Sequence, residues 1–163
     1  MRIASAAGAL AGCWLVTACL QPRTDRGSEL DQALQALAAA GYEFEADVRF
    51  RSDRYGVCQG LACADLRVER SRRTITLAPE AFSSDARLRA TLLEIWGRYR
   101  EPRSGSVRDL ARSALRVLQE GPRVGIRDVA LRRLAHHTYR QLYERLSGAE
   151  RQGLPDPETL PFP

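Results

Sequence analysis

Two adjacent histidines, His136 and His137, and two cysteines, Cys58 and Cys63, are the first residues of this chain that could do chemistry. Imidazole and thiolate groups are the usual zinc ligands, so these four residues could form a metal site. Adjacent side chains of a helix point about 100° apart, however, whereas helical zinc motifs place their histidines at i, i+4 spacing. We therefore expect no metal site and no cofactor.

A second possible metal site lies after a predicted strand and a proline, where zinc metallopeptidases carry the helical motif H-E-x-x-H. The corresponding segment reads Glu94-Ile95-Trp96-Gly97-Arg98 and lacks both histidines, so nothing in it would hold a metal. A degenerate metallopeptidase is one interpretation of this helix. The other is a structural helix, on which the i, i+4 spacing of Glu94 and Arg98 predicts an exposed ion pair.

The histidine pair could instead supply a general base, since imidazole titrates near neutral pH. Tyr139 and Tyr143 share the predicted helix with it, but the sequence places no serine or cysteine nucleophile beside these residues. Neighbouring arginines also disfavour the charged form of imidazole. We expect His136 and His137 to be surface residues, we expect no catalytic residue, and we keep a hydrolase as the third functional hypothesis.

Three arginines, Arg108, Arg112 and Arg116, recur at i, i+4 and i+8 and would form a basic stripe on one helix face. Such a stripe could bind the phosphates of lipid A or a partner rich in carboxylates. The alternative is a solvated surface, because acidic residues interrupt the basic ones. The net charge is +5, but all 25 basic residues are arginine, which is typical of a GC-rich genome. We expect no nucleic-acid partner.

The start of the chain has the pattern of an export signal, with a positive Met1-Arg2 followed by an uncharged apolar run from Ile3 to Thr17. This run is too short for a transmembrane helix, which needs about 20 apolar residues. The segment Val16-Thr17-Ala18-Cys19 resembles the lipobox of bacterial lipoproteins. An ordinary secreted protein, in which Cys19 stays a plain thiol, is the alternative.

The lipobox resemblance implies that residues 1–18 are cleaved and that Cys19 is diacylated on its sulfur. Two or more acyl chains hold a protein stably in a membrane, whereas one chain binds only marginally. In enteric lipoproteins an aspartate after the cysteine retains the protein at the inner membrane, and this chain has Leu20 instead. We therefore expect a lipid-anchored envelope protein at the outer membrane.

Cys58 and Cys63 flank a loop that contains Gly60, and an exported protein folds where disulfides form. We expect the two cysteines to be joined. The loop-entropy model gives so short a closure about 2 kcal/mol of stabilisation.

The hydrophobic periodicities of the mature chain predict a small α+β domain. Strict alternation of apolar and charged residues marks the first strand, and two further strands form a hairpin. We expect an antiparallel sheet whose apolar face is covered by four helices. The predicted strands span 42–51, 65–70 and 74–78, and the helices span 28–40, 84–100, 106–120 and 127–146.

The predicted organisation has four parts: a cleaved signal peptide at 1–18, a lipidated tether at 19–27, one globular domain at 28–152 and a Pro-rich, extended tail at 153–163. An anchor and a small domain without a catalytic set favour a non-enzymatic lipoprotein that acts by protein contacts in envelope assembly, secretion or maintenance. The second hypothesis is a module that binds a ligand or peptide on the envelope.

Overall fold

The computed structural model describes residues 26–52, 54, 56, 58, 60–61, 63–69, 72–100 and 106–161, so the predicted signal peptide and Cys19 lie outside it. Within these residues the chain has the order α1, β1, β2, β3, α2, α3, α4, α5, which confirms the small α+β class. The bounds are α1 Arg26–Ala39, β1 Val48–Ser52, β2 Ala64–Glu69, β3 Arg72–Leu77, α2 Asp85–Arg100, α3 Val107–Glu120, α4 Val129–Glu144 and α5 Gly148–Arg151.

The three strands form one mixed sheet in the order β1-β3-β2. β2 and β3 pair antiparallel, with Leu66 opposite Ile75, as a hairpin requires. β1 lies on the other side of β3 and runs parallel to it, with Phe50 opposite Ile75. The prediction of a wholly antiparallel sheet is therefore wrong for this pair. Parallel strands need a long connection, and the chain reaches β3 only after passing through β2.

The first strand begins at Val48, later than the alternation of residues 42–51 predicts. The preceding stretch packs on the C-terminal part of α2 instead of pairing with a strand. The ring of Tyr42 meets Trp96 edge-on with centroids 5.1 Å apart, and the indole N–H of Trp96 donates to the carbonyl of Glu43 at 2.8 Å. The alternation of half-buried and exposed side chains at residues 42–45 therefore comes from packing on α2 and not from pairing with another strand.

The central element is α2, which contacts α1, β2 and α3. The sheet turns its apolar face to the helices, with Ile75 and Leu77 fully enclosed. α3 packs against both α2 and α4. Because α2 has neighbours on several sides, most of its residues are enclosed, and a polar residue there is forced into the core. The buried set is Leu88, Ala90, Thr91, Leu92, Leu93, Glu94, Ile95, Gly97 and Tyr99.

The helices begin where the sequence places capping side chains. The oxygens of Ser84, Ser106 and Asp128 accept hydrogen bonds of 3.0 to 3.1 Å from first-turn N–H groups. The last long helix ends at Glu144, two residues before its predicted end. A capping box at Ser147 then starts the separate short helix α5.

The end of the chain, predicted as an extended tail, lies against α4 as far as the structure describes it. The hydroxyl of Tyr139 donates to the carbonyl of Pro155 at 2.6 Å. Pro157 is buried and opens a short 3₁₀ turn, Pro157–Thr159. Among the described residues, no helix has the length and apolar character needed to cross a membrane.

Candidate functional site

A carboxyl group lies in the core of the domain, at the middle of α2. Glu94 is only 4% exposed, so the exposed ion pair that its spacing from Arg98 predicts is not what forms. The reason is the position of α2, which is flanked by neighbours that enclose this side chain. A glutamate is almost never fully buried unless it is paired.

The partner of this carboxyl is Arg98, one turn further along α2, but the pair is loose. Nη1 of Arg98 lies 4.0 Å from Oε2 of Glu94, too far for a hydrogen bond. Neither Glu94 Oε2 nor Arg98 Nε has a hydrogen-bond partner among the residues that the structure describes. Burial raises the pKa of Glu94 to about 7, and the nearby guanidinium opposes that rise.

The buried pair lies on the wall of a cavity of about 230 Å³ that opens on the side of α2 facing α3 and α4. The other walls are aliphatic apart from one hydroxyl group. They come from the loop before β2, from α3 and from α4. These residues are Leu61, Leu110, Ala114, Thr138 and Leu142.

The disulfide loop supplies one wall of this cavity through Leu61, which is 2% exposed. Cys58 and Cys63 lie at bonding distance with their Cα atoms 4.1 Å apart, in agreement with the predicted bridge. Arg87 of α2 fixes the loop from outside, since its Nη2 donates to the Gly60 carbonyl at 2.7 Å and to the Cys63 sulfur at 2.9 Å. The bridge therefore holds Leu61 in place beside the carboxyl.

The close contact between α2 and α3 beside the cavity depends on a glycine. A Cβ atom at Gly97 would lie 2.8 Å from Oγ of Ser113 and 3.2 Å from Cζ of Arg116. Real Cβ atoms essentially never come within 3.0 Å of another side-chain atom, so Ser113 or the helices themselves would have to shift for a larger residue to fit. Gly97 therefore allows the close approach of α2 and α3 beside the cavity.

The arginines of the predicted basic stripe contact other residues of the domain. Arg108 donates to the carbonyl of Gln152 at 2.9 Å, and the Cζ of Arg116 lies 5.1 Å from the ring centroid of Trp96. Arg112 is half-buried and also has a partner. These contacts position the arginines on α3, and a contact with an anionic partner stays a prediction.

The histidine pair is divided between the core and the surface. His136 is 8% exposed and its Nε2 lies 3.2 Å from the carbonyl of Pro157, so it is not the surface residue that we expected. His137 is exposed. Both line an open hollow with Arg133 and Arg140. Within the described part of the chain, no three His, Cys, Asp or Glu side chains are grouped closely enough to hold a metal ion.

The site centred on Glu94 was missed at the level of sequence because an i, i+4 acid–base pair is typical of an exposed helix face. A signal was nevertheless present. Leu92, Leu93 and Ile95 point to different sides of α2, and a helix with apolar residues on all sides is typically buried. The contributions of Leu61 and Thr138 come from distant elements, and no local pattern indicates them.

The lining of the cavity is suited to binding. Its polar end is formed by Glu94 and Arg98, and its remaining lining is aliphatic apart from the hydroxyl group of Thr138. The chain matches no model of a protein family, no curated protein and no solved structure.

Proposed function

We propose that this chain is a membrane-anchored lipoprotein of the bacterial envelope, at the outer membrane, and that its domain binds a partner protein in envelope assembly, secretion or maintenance. The anchor is supported by the lipobox-like segment that ends at Cys19. The binding role is supported by the cavity beside Glu94.

The observation that carries the binding role is the cavity of about 230 Å³, which has aliphatic walls and a polar end formed by Glu94 and Arg98. We expect a leucine-like side chain of a partner to pack on the aliphatic walls. Its adjoining amide would bring both an N–H donor and a carbonyl acceptor. The N–H would bond the carboxyl of Glu94, and the carbonyl would bond Arg98. Hydrogen bonds to charged groups are stronger than those between neutral groups, so a segment that bonds Glu94 and Arg98 at the polar end of the cavity gains affinity from them.

Site-specific photo-crosslinking in intact cells tests the binding role. A diazirine amino acid close in size to leucine, placed at Leu142 on the cavity wall, is expected to give one protein adduct, whereas the same group at the exposed Ala130 of α4 gives none. Leu110→Trp, which fills the cavity, should abolish the adduct. Val129→Trp, at a residue 49% exposed, is the matched control and should retain it.

Adducts that persist in the Leu110→Trp protein would refute the cavity as the binding site. The mostly aliphatic lining of the cavity, with two polar residues at one end, also supports the second hypothesis, a small ligand. That hypothesis predicts no protein adduct at Leu142, together with a non-covalent mass increment on the native protein that Leu110→Trp removes.

Fractionation tests the anchor separately. Cys19→Ser should leave the protein unprocessed and without acyl chains, and the acyl mass on the mature protein should disappear. Cys13→Ser, a matched change within the predicted signal peptide, should be processed and acylated normally. Equal acylation in both variants would refute the lipoprotein assignment.

A further inference from the structure

The face of the sheet that points away from α2 is polar and rich in arginine. Paired residues of neighbouring strands point to the same side, and alternate residues of one strand share a face. The register pairs Arg49 and Arg67 with Thr74, and it pairs Arg51 and Asp65 with Thr76. These residues, with Glu69 and Arg72 at the far end, are referred to as the open face.

The charge of the open face is positive, with four arginines against two acidic residues. Arg49 and Arg51 are exposed and form no hydrogen bond or ion pair with any other described residue. Arg67 lies 3.3 Å from Asp65, but both side chains are more than half exposed, so the attraction between them is weak. Guanidinium groups on such a surface are available to bind phosphate in two-point contacts.

The described chain begins next to the end of β1. Arg26, the first residue of α1, donates to Oγ of Ser52 at 3.3 Å. Ser52 follows Arg51 directly and pairs with Leu77, so its side chain lies on the helix-covered side of the sheet, one strand layer away from the open face. The chain from Cys19 to Arg26 can span at most about 24 Å when fully extended, at about 3.4 Å per residue. Arg49 lies only about 10 Å from Ser52 along the strand, at about 3.3 Å per residue. An anchor at Cys19 therefore keeps the open face within reach of the bilayer.

We propose that the open face rests on the anionic phospholipid headgroups of the membrane that holds Cys19, an inference that depends on the proposed lipid anchor. Each arginine near an anionic membrane strengthens binding by about fivefold, so Arg49, Arg51 and Arg67 together contribute about a hundredfold. The acyl chains hold the protein in the membrane, and the arginines select which side of the domain faces it.

The experiment uses the acylated protein in vesicles of phosphatidylcholine with or without phosphatidylglycerol. A fluorophore is attached to Thr74→Cys, at the centre of the open face, or to Ala130→Cys on α4, and a headgroup-linked quencher reports proximity to the bilayer. The native disulfide stays oxidised, so the introduced thiol takes the label. Quenching at Thr74→Cys should exceed that at Ala130→Cys several-fold, only with phosphatidylglycerol, and should fall at high salt.

Replacing Arg49, Arg51 and Arg67 together by glutamine should remove the excess quenching. The matched control replaces Arg127, Arg133 and Arg145, three exposed arginines on or beside α4, and should leave it unchanged. Equal quenching at the two labelled positions, or quenching that ignores phosphatidylglycerol, would overturn the inference while leaving the anchor intact. A mature protein whose mass shows no acyl chains would instead refute the proposed anchor, and with it this orientation.

Discussion

The pH dependence of stability should be dominated by Glu94. Its pKa is about 7 in the folded protein, against an ordinary value of 4.5, because burial disfavours the charged carboxylate. Below pH 4.5 the carboxyl is protonated in both states. Between pH 4.5 and about 7 the unfolded chain loses its proton first, so the folded state loses stability as the pH rises. Well above pH 7 the carboxyl is ionised in both states, so the free energy of unfolding falls no further on account of Glu94.

The magnitude follows from the two pKa values. Each pKa unit corresponds to about 1.4 kcal/mol, so ionisation of Glu94 should lower the free energy of unfolding by about 3 kcal/mol between pH 4.5 and pH 8. Glu94→Gln keeps the shape and cannot ionise. The variant should therefore be about 3 kcal/mol more stable than the parent protein at pH 8 and within about 1 kcal/mol of it at pH 4.5.

Urea denaturation at a series of pH values measures this difference, with the fluorescence of Trp96 as the signal. The matched control is Glu80→Gln, since Glu80 is exposed, and its difference from the parent protein should be small at every pH. A constant difference between Glu94→Gln and the parent protein from pH 5 to pH 8 would refute the reasoning. It would mean that Glu94 is already ionised in the core and fully stabilised there.

Three further changes test the packing around the cavity. Gly97→Ala should cost about 1–3 kcal/mol in urea denaturation by overpacking the contact between α2 and α3, while Gly148→Ala, with open space around it, should cost almost nothing. Equal changes in the free energy of unfolding for Gly97→Ala and Gly148→Ala would contradict the close contact between α2 and α3. Tyr139→Phe should cost about 1 kcal/mol and speed amide exchange in the tail, and unchanged exchange would show that its hydrogen bond does not hold the tail. Reducing the Cys58–Cys63 bridge should cost about 2 kcal/mol, and a variant with both cysteines replaced by serine should not respond to reductant.

Local signals in the sequence predicted most of the elements. The predicted helices 106–120 and 127–146 begin close to Ser106 and Asp128, which cap α3 and α4, because a capping side chain bonds N–H groups only a few residues away. The hairpin of β2 and β3 is also predictable from a short stretch of sequence, because only a short turn separates its two strands. Interactions of short range leave their pattern in a short stretch of sequence.

Interactions of long range leave no such pattern, and this is where the predictions failed. The parallel pairing of β1 depends on which side of β3 is available after the hairpin has formed. The burial of Glu94 depends on α3 and α4, which follow it in the chain. Spacing from Arg98 predicts that the two side chains are neighbours, which is confirmed. It cannot predict whether water or another helix covers them.

The two proposed surfaces are built from different residues of the domain. The open face of the sheet points away from α2, and the cavity opens on the side where α3 and α4 pack. Because the surfaces share no residue, their effects should be additive. Glutamine at Arg49, Arg51 and Arg67 should leave crosslinking from Leu142 possible, and Leu110→Trp should leave the membrane quenching unchanged.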